Sequence, residues 1–330
     1  MATRSNVNIV TQLGVESTPG TSVPANRLVN DIAIRFSPMQ ESKLFRSSGA
    51  KIPTAMLKTK EWSEGEWDGV LNFGSLIYPL AGAVAYAAPV ETSGGSAAYK
   101  WTFNPATHGS VTRKNYTLQR GDATAAIQVA YGQFDGFKLS VTREDVQVSG
   151  ALFAKNINNG VTLTASPTEI AQRPASPANL DVYIDSTFAG IGTTRWTCVS
   201  KVDVDIPPEL GQKWCVNSSQ ASWDEPFEKA HEPKVVITAE YNAQGRALYD
   251  ALSVAGLPTR FVRVQATGNP VGTAADVERF RADFALKFEK ATEVADQDGP
   301  YEYQFEFAVI HDPTMGRGYS FEIINDLSAL

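Results

Sequence analysis

Cysteine, histidine and methionine are scarce in this 330-residue chain, which holds two, three and four of them. Cys198 and Cys215 cannot build a disulfide framework, and their strand-like contexts predict buried, reduced thiols. His108, His231 and His311 stand in loop-like contexts without metal-ligand spacing, and no HExxH, CxxC, GxSxG, Walker A or GxGxxG pattern occurs. No catalytic centre, cofactor or metal is therefore expected. Long hydrophobic runs are missing too: the most apolar stretch, residues 76–90, is interrupted by Pro79 and Pro89 and falls short of the roughly 20 residues that span a bilayer. No membrane partner is expected. Residues 1–14 contain no apolar core of a secretion signal, so synthesis and assembly are expected in the cytoplasm. A basic excess is also absent, with 29 Lys plus Arg against 36 Asp plus Glu for a net charge of −7. That balance argues against tight binding of nucleic acid.

What is present is an ordinary globular composition, 43% hydrophobic and 20% charged, in a chain long enough for two cores of roughly 165 residues each. The charge is uneven: residues 1–170 carry 15 basic and 13 acidic side chains, net +2, whereas residues 171–330 carry 14 and 23, net −9. Pro167, Pro174 and Pro177 among small polar residues mark 165–179 as a linker. Gly14, Pro19, Gly20 and Pro24 interrupt regular structure within residues 1–30, an expected N-terminal arm. The expected organisation is thus an arm (1–30), a first domain (31–164), the linker (165–179) and a second domain (180–330).

Period-two alternation dominates the remainder, as in half-buried strands. Examples are Ile32, Ile34 and Phe36; Ile127, Val129 and Tyr131; Phe137, Leu139 and Val141; Val146 and Val148; Phe284, Leu286 and Phe288; and Tyr303, Phe305 and Phe307. Helical periodicity is confined to residues 243–256, with Asn242 as N-cap and Gly256 as stop, and more weakly to 73–85. A repeat runs through the chain. Residues 32–49 align without a gap on 202–219, matching Ile32 with Val202, Ile34 with Val204, Phe36 with Ile206 and Pro38 with Pro208. The helical segments follow at an offset of 171, Gly74 over Gly245 and Tyr78 over Tyr249, and strands ending in Asn104-Pro105 and Asn269-Pro270 come after them.

Two groups of residues stand out. Glu64, Glu66 and Asp68 alternate, as do Asp203 and Asp205, so each set projects from one face of an extended segment. Such a face is either plainly solvated or held at negative potential against polyanions; a carboxylate pair for hydrolysis has no accompanying site signature. Expected loops at 47–66 and 219–234 mix charge with Trp62, Trp67 and Trp223, which suits protein contacts or local capping of a sheet.

Several stretches resemble the tail tube (major tail) proteins of long-tailed, non-contractile bacteriophages. They are residues 14–28 with Gly14, Glu16, Gly20 and Pro24; the acidic Trp62–Trp67 stretch; Tyr99 to Pro105; residues 115–121; and residues 131–137 with Tyr131, Gly132, Gly136 and Phe137. The resemblance covers most of the chain and lies in the order of weak motifs. It implies a non-enzymatic, mainly β virion protein of two tandem β-sandwich or barrel domains, each with one short flanking α-helix. It also implies self-assembly into stacked rings that conduct DNA during ejection into the host. Because the tube domain is duplicated, homotrimeric rings with pseudo-sixfold symmetry are expected, with homohexamers as the alternative. Other tail proteins at the tube ends and a tape measure protein in the lumen are the further partners implied. On this reading Glu64, Glu66, Asp68, Asp203 and Asp205 face the lumen, and Val23, Pro24, Trp62, Trp67, Trp223 and Phe227 make contacts between rings or subunits. A receptor- or glycan-binding β module of the tail tip is the rival expectation.

Overall fold

A computed structural model describes residues 6–216, 221–253, 257–273, 275–294 and 299–330. The protein is mainly β. In chain order the strands of the first half are β1 (Val10–Val15), β2 (Arg27–Val29), β3 (Ile32–Phe45), β4 (Ala55–Val70), β5 (Val90–Glu91), β6 (Tyr99–Phe103), β7 (Tyr116–Gly121), β8 (Ala126–Thr142), β9 (Val146–Ala154), β10 (Ile157–Val161) and β11 (Thr168–Glu169). The second half holds β12 (Leu180–Asp185), β13 (Val199–Ile206), β14 (Leu210–Gln212), β15 (Pro226–Glu228), β16 (Lys234–Glu240), β17 (Arg260–Pro270), β18 (Val277–Val294), β19 (Glu302–Val309) and β20 (Tyr319–Asn325). Helix α1 (Ile77–Ala83) follows β4, and α2 (Ala243–Asp250) follows β16.

The pairings of the first half recur in the second. β1 pairs with β7 as β12 with β17; β3 with β4 as β13 with β16; β4 with β9 as β16 with β19. Likewise β7, β9 and β10 flank β8 as β17, β19 and β20 flank β18. Even an irregularity is shared: the β8–β9 register shifts between Asp135 and Lys138, and the β18–β19 register between Phe288 and Lys290. Such bulges bend a strand, and each long strand here divides its pairing between two sets of partners at its two ends. In β8 the bend depends on Gly136, whose φ is +70 and whose Cβ position would lie 3.1 Å from the Ile206 carbonyl oxygen.

Alternation sets which face is buried. Ile32, Ile34 and Phe36 point inward while Ala33 and Arg35 point out, and from Ser37 onward β3 is exposed on both faces. The core is aromatic: Trp67 packs edge-on to Phe134, and Phe137 against Phe321, so residues of both halves share one cluster. Helix α1 is entirely buried and is held by side chains from the strands, with Tyr116 donating to the Tyr78 carbonyl and Gln133 to that of Gly82. Helix α2 starts at the expected cap, where Asn242 Oδ1 accepts from the amides of Gln244 and Gly245. It passes into a 3₁₀ turn at Ala251–Ser253, and the expected stop at Gly256 lies outside the described residues. No helix among the described residues is long and apolar enough to cross a membrane.

Several expectations need correction. Residues 10–29 are no free arm: β1 pairs with β7 along six residues and with β2, because Leu13 and Val29 have core to cover. The expected loop at 47–66 is mostly strand, since β3 and β4 form one long two-stranded ribbon closed by a turn at 46–54. The proline-rich segment 165–179 is strapped to the body through the buried Ile170 and Ala175, and Arg173 donates to Glu278 at 2.9 Å and to Asp326 at 2.5 Å. Strand β6, matched by its Asn-Pro ending with β17, instead pairs with β20 of the other half. Both cysteines are exposed rather than buried; Cys198 precedes β13 with a φ of +61, so its backbone leaves the pleat that would turn the thiol inward.

Candidate assembly surfaces

Eight strands form one uninterrupted run in the order β3, β4, β9, β8, β13, β16, β19, β18. The step between the halves is the β8–β13 seam. There Val141 faces Val202, Leu139 faces Val204 and Phe137 faces Ile206, all six buried on the core side. On the opposite side Ser140 donates to Asp203 at 2.6 Å and Lys138 pairs with Asp205 at 3.3 Å.

The outer face of this run gathers all five acidic candidates. Glu64, Glu66 and Asp68 lie on β4, and Asp203 and Asp205 lie on β13, with β9 and β8 between them. Glu240, Glu302 and Glu306 continue the row on β16 and β19, and Glu289, in the bulge of β18, reaches it by pairing with Lys234 at 2.9 Å. The face is not uniformly acidic, however. Arg35, Lys138, Lys201, Lys234, Lys287 and Lys290 share it. Nine acids against six cations leave a net charge of −3. Carboxylates hold most of these cations: Arg35 pairs with Glu66 at 3.5 Å and with Asp68, Lys201 with Asp203 at 2.8 Å, and Lys290 with Glu306 at 3.2 Å. These exposed pairs contribute little stability, about 0–1 kcal/mol each. What they do is occupy the cations.

The end strands of the run have open edges. Among the described residues β3 pairs only with β4, and residues 287–294 of β18 pair only with β19. The two open edges are the counterparts, by the recurring pairings, of the two edges joined in the β8–β13 seam.

The contact candidates divide. Trp67 and Trp223 are both 0% exposed, which removes them as contacts with other chains. Trp67 must point inward once Glu66 and Asp68 point out. Trp223 seats on the first half beside Tyr131 and Phe153, with ring centroids 4.5 and 5.4 Å away, and its Nε1 donates to the Ala154 carbonyl at 3.1 Å. Trp62 is half-buried and stacks edge-on against Trp214. Pro24 is exposed and Val23 half-buried, with the Val23 amide bonded to Thr117 Oγ1 at 3.0 Å. Phe227 is 49% exposed. The largest exposed apolar group lies outside the expected set: Leu44, Phe45, Ile52, Met56 and Leu57 stand at the end of the β3–β4 ribbon, Ile52 being 73% exposed. Its signal in the sequence is a set of apolar residues persisting where alternation stops.

A polar clasp also joins the halves. Arg113 donates to Glu209 and Glu228, His231 Nδ1 lies 2.9 Å from Glu209 Oε2, and Tyr319 Oη is 3.4 Å from His231 Nε2. Burial opposes ionisation of Glu209, but the His231 hydrogen bond and the Arg113 charge outweigh it and hold the carboxyl below its ordinary value. Next to it, burial raises Asp135 above the usual carboxylate range, against the pull of the Glu209 and Leu210 amides whose hydrogen bonds it accepts. Among the described residues no cluster of three or more His, Cys, Asp or Glu could hold a metal. No protein-family model and no curated protein matches the chain.

Proposed function

We propose that this chain is a structural, non-enzymatic virion subunit that assembles with copies of itself into rings stacked as a phage tail tube, through which DNA passes. Its fold is read as two tandem β-sandwich or barrel modules, each with one flanking helix. What carries this reading is the β8–β13 seam. It joins one half to the other head to tail, and its two edges recur as the open edges of β18 and β3. A heterologous contact of this kind repeats until it closes or grows without limit. Three chains of eight strands each would give six modules and 24 strands around a closed inner sheet, a homotrimer with pseudo-sixfold symmetry.

The outer face then lines the lumen. Duplex DNA carries about one charge per 1.7 Å, and proteins that grip it present free Lys and Arg to the phosphates. Here five of the six cations on the face are engaged by neighbouring carboxylates, so the lumen has no basic track on which DNA would stall. The −7 of each chain is mostly elsewhere, since the face itself carries −3. Unpaired strand edges are normally blunted against association. On this reading they are the lateral contacts, and tube-end proteins and a tape measure protein meet the rings, not single chains.

Sedimentation of the purified protein over a concentration series tests the reading. A species at three times 35.7 kDa, about 107 kDa, and larger polymers of it are expected. A monodisperse monomer at every concentration, especially one that binds glycan, would refute it.

A further inference from the structure

The recurring pairings also match the second sheet of each half, on the face turned away from the core. In the first half one row of side chains runs Gln12, Gln119, Gln128 and Asn158 across β1, β7, β8 and β10. Its counterpart runs Asp181, Gln265, Arg281 and Glu322 across β12, β17, β18 and β20 and continues to Thr102 of β6. The first row is uncharged and covered. The chain after β10 crosses it, with the Thr164 amide donating to Gln119 Oε1 at 2.9 Å and Gln12 Nε2 donating to the Thr164 carbonyl at 3.2 Å, so Gln12 and Gln119 are buried. In the second row every member is only half-buried. Among the described residues, the side chains of Gln265, Arg281 and Glu322 find hydrogen-bond partners only within the sheet itself.

Three guanidiniums stand together on this uncovered face. Arg263 forks onto Asp283 at 2.7 and 2.8 Å and is balanced. Arg279 and Arg281 share a single carboxylate oxygen, Glu322 Oε1, at 2.9 and 3.4 Å. One positive charge is therefore left over, in a half that carries −9. The bonding is incomplete as well. Arg281 donates through Nε to Gln265 Oε1 at 2.7 Å, while Arg281 Nη2, Gln265 Nε2 and the buried Arg279 Nε have no partner among the described residues. Burial and the Arg279 charge depress the Arg281 guanidinium below its ordinary value, whereas the hydrogen bonds to Asp283 raise that of Arg263. A second carboxylate would supply what the pair lacks, since guanidinium and carboxylate match in charge and in the spacing of two parallel hydrogen bonds.

We propose that this face binds an extended polypeptide segment of a partner protein, whose Asp or Glu carboxylate seats on Arg279 and Arg281. The segment crosses the Asp181–Glu322 row as the chain after β10 crosses the Gln12–Asn158 row, and Gln265 Nε2 is free to donate to one of its carbonyls. Asp283 on one side and Asp181, held by Arg195 at 2.6 Å, on the other confine the excess charge to one position. The face therefore seats one acidic group and makes no track for duplex DNA, which needs a run of free cations. One chain supplies the whole site.

Fluorescence anisotropy with the full-length chain tests it, using a labelled peptide of alternating Thr and Glu, whose acids share one face when extended, and its counterpart of alternating Thr and Gln. Arg281→Gln installs the residue type that the first half has at the equivalent position, Gln128, and Lys287→Gln removes the same charge from the outer face of the eight-strand run. The acidic peptide is expected to bind at least roughly tenfold more tightly than the neutral one, and Arg281→Gln, but not Lys287→Gln, to remove that excess. Glu322→Gln, which frees both guanidiniums, is expected to strengthen binding of the acidic peptide. Equal binding of the two peptides, an equal loss in the Arg281 and Lys287 variants, or binding that Glu322→Gln leaves unchanged or weakens would overturn the inference. Duplex DNA bound as tightly as the acidic peptide, and through Arg281, would overturn it in favour of a phosphate site.

Discussion

Replacing Glu209 by Gln isolates the clasp that holds the two halves in register. The side chain is only 11% exposed and meets Arg113 and His231 at its two carboxylate oxygens. Hydrogen bonds to charged groups contribute about 1.5–3 kcal/mol each, and removing one partner of a buried pair leaves the other uncompensated. Gln retains the shape and one acceptor, so the expected loss at pH 7 is about 2–4 kcal/mol. At roughly 2 °C per kcal/mol for a long chain, the melting temperature falls by about 4–8 °C. The pH dependence carries more information than the size. The folded-state carboxyl titrates below its ordinary value of 4.5, so its contribution is full above that value and is lost as pH falls through the lowered one. Wild type and Glu209→Gln, compared by urea unfolding from neutral pH downward, should therefore converge as the pH drops below 4.5. A stability difference that stays constant across that range would refute the assignment of Glu209 as an ionised anchor. The neighbouring Asp135 has the opposite sign. Burial raises its pKa above the ordinary 3.8, so its contribution is full below that value and is lost as pH rises through the raised one; Asp135→Asn should remove that slope.

Three shorter expectations follow from the same geometry. Trp223→Ala removes a fully buried indole that bonds to Ala154 and should cost about 3–5 kcal/mol in denaturant unfolding; a loss under about 1 kcal/mol would mean that the connection is not docked as described. Gly150→Val should be destabilising by about 3 kcal/mol, because a Cβ there would lie 2.5 Å from Trp67 Nε1 and 2.6 Å from the Gly136 carbonyl oxygen; an unchanged thermal melt would refute that packing. The unassembled chain should show no salt-dependent binding to duplex DNA in fluorescence anisotropy, since five of its six face cations are paired; binding that weakens steeply with added salt would contradict the account of the lumen.

Much of the strand architecture is legible because burial on one face imposes period two. Ile32, Ile34 and Phe36, and later Phe305 and Phe307, declare their strands unaided. The same logic corrects one expectation from within the sequence: if Glu64, Glu66 and Asp68 point outward, Trp67 must point inward, and no surface role is left for it. Illegible features depend on partners distant in sequence. Nothing near Trp223 announces Tyr131 and Phe153, and Arg113, Glu209 and His231 meet only because β14 folds back on the first half. The ion pairs of the outer face are equally non-local, since Lys138 and Asp205 meet only across the seam. The arm and linker differ from expectation for a related reason. Glycine and proline counts report local irregularity, whereas Leu13, Ile170 and Ala175 are recruited by a core assembled elsewhere. The repeat at 170 residues is visible in its first strand, but its later members have drifted in length, so that an Asn-Pro ending matches β17 to β6 where the pairings match it to β7.

The central claim is that the internal seam is repeated between chains. Electron microscopy of the purified full-length protein at assembling concentration tests it most directly. The expected result is a ring of three chains showing six similar lobes, with the edge of β18 joined to β3 of the next chain in the register of the β8–β13 seam. Rings in which those two edges remain solvent-exposed, or particles without rotational symmetry, would contradict it.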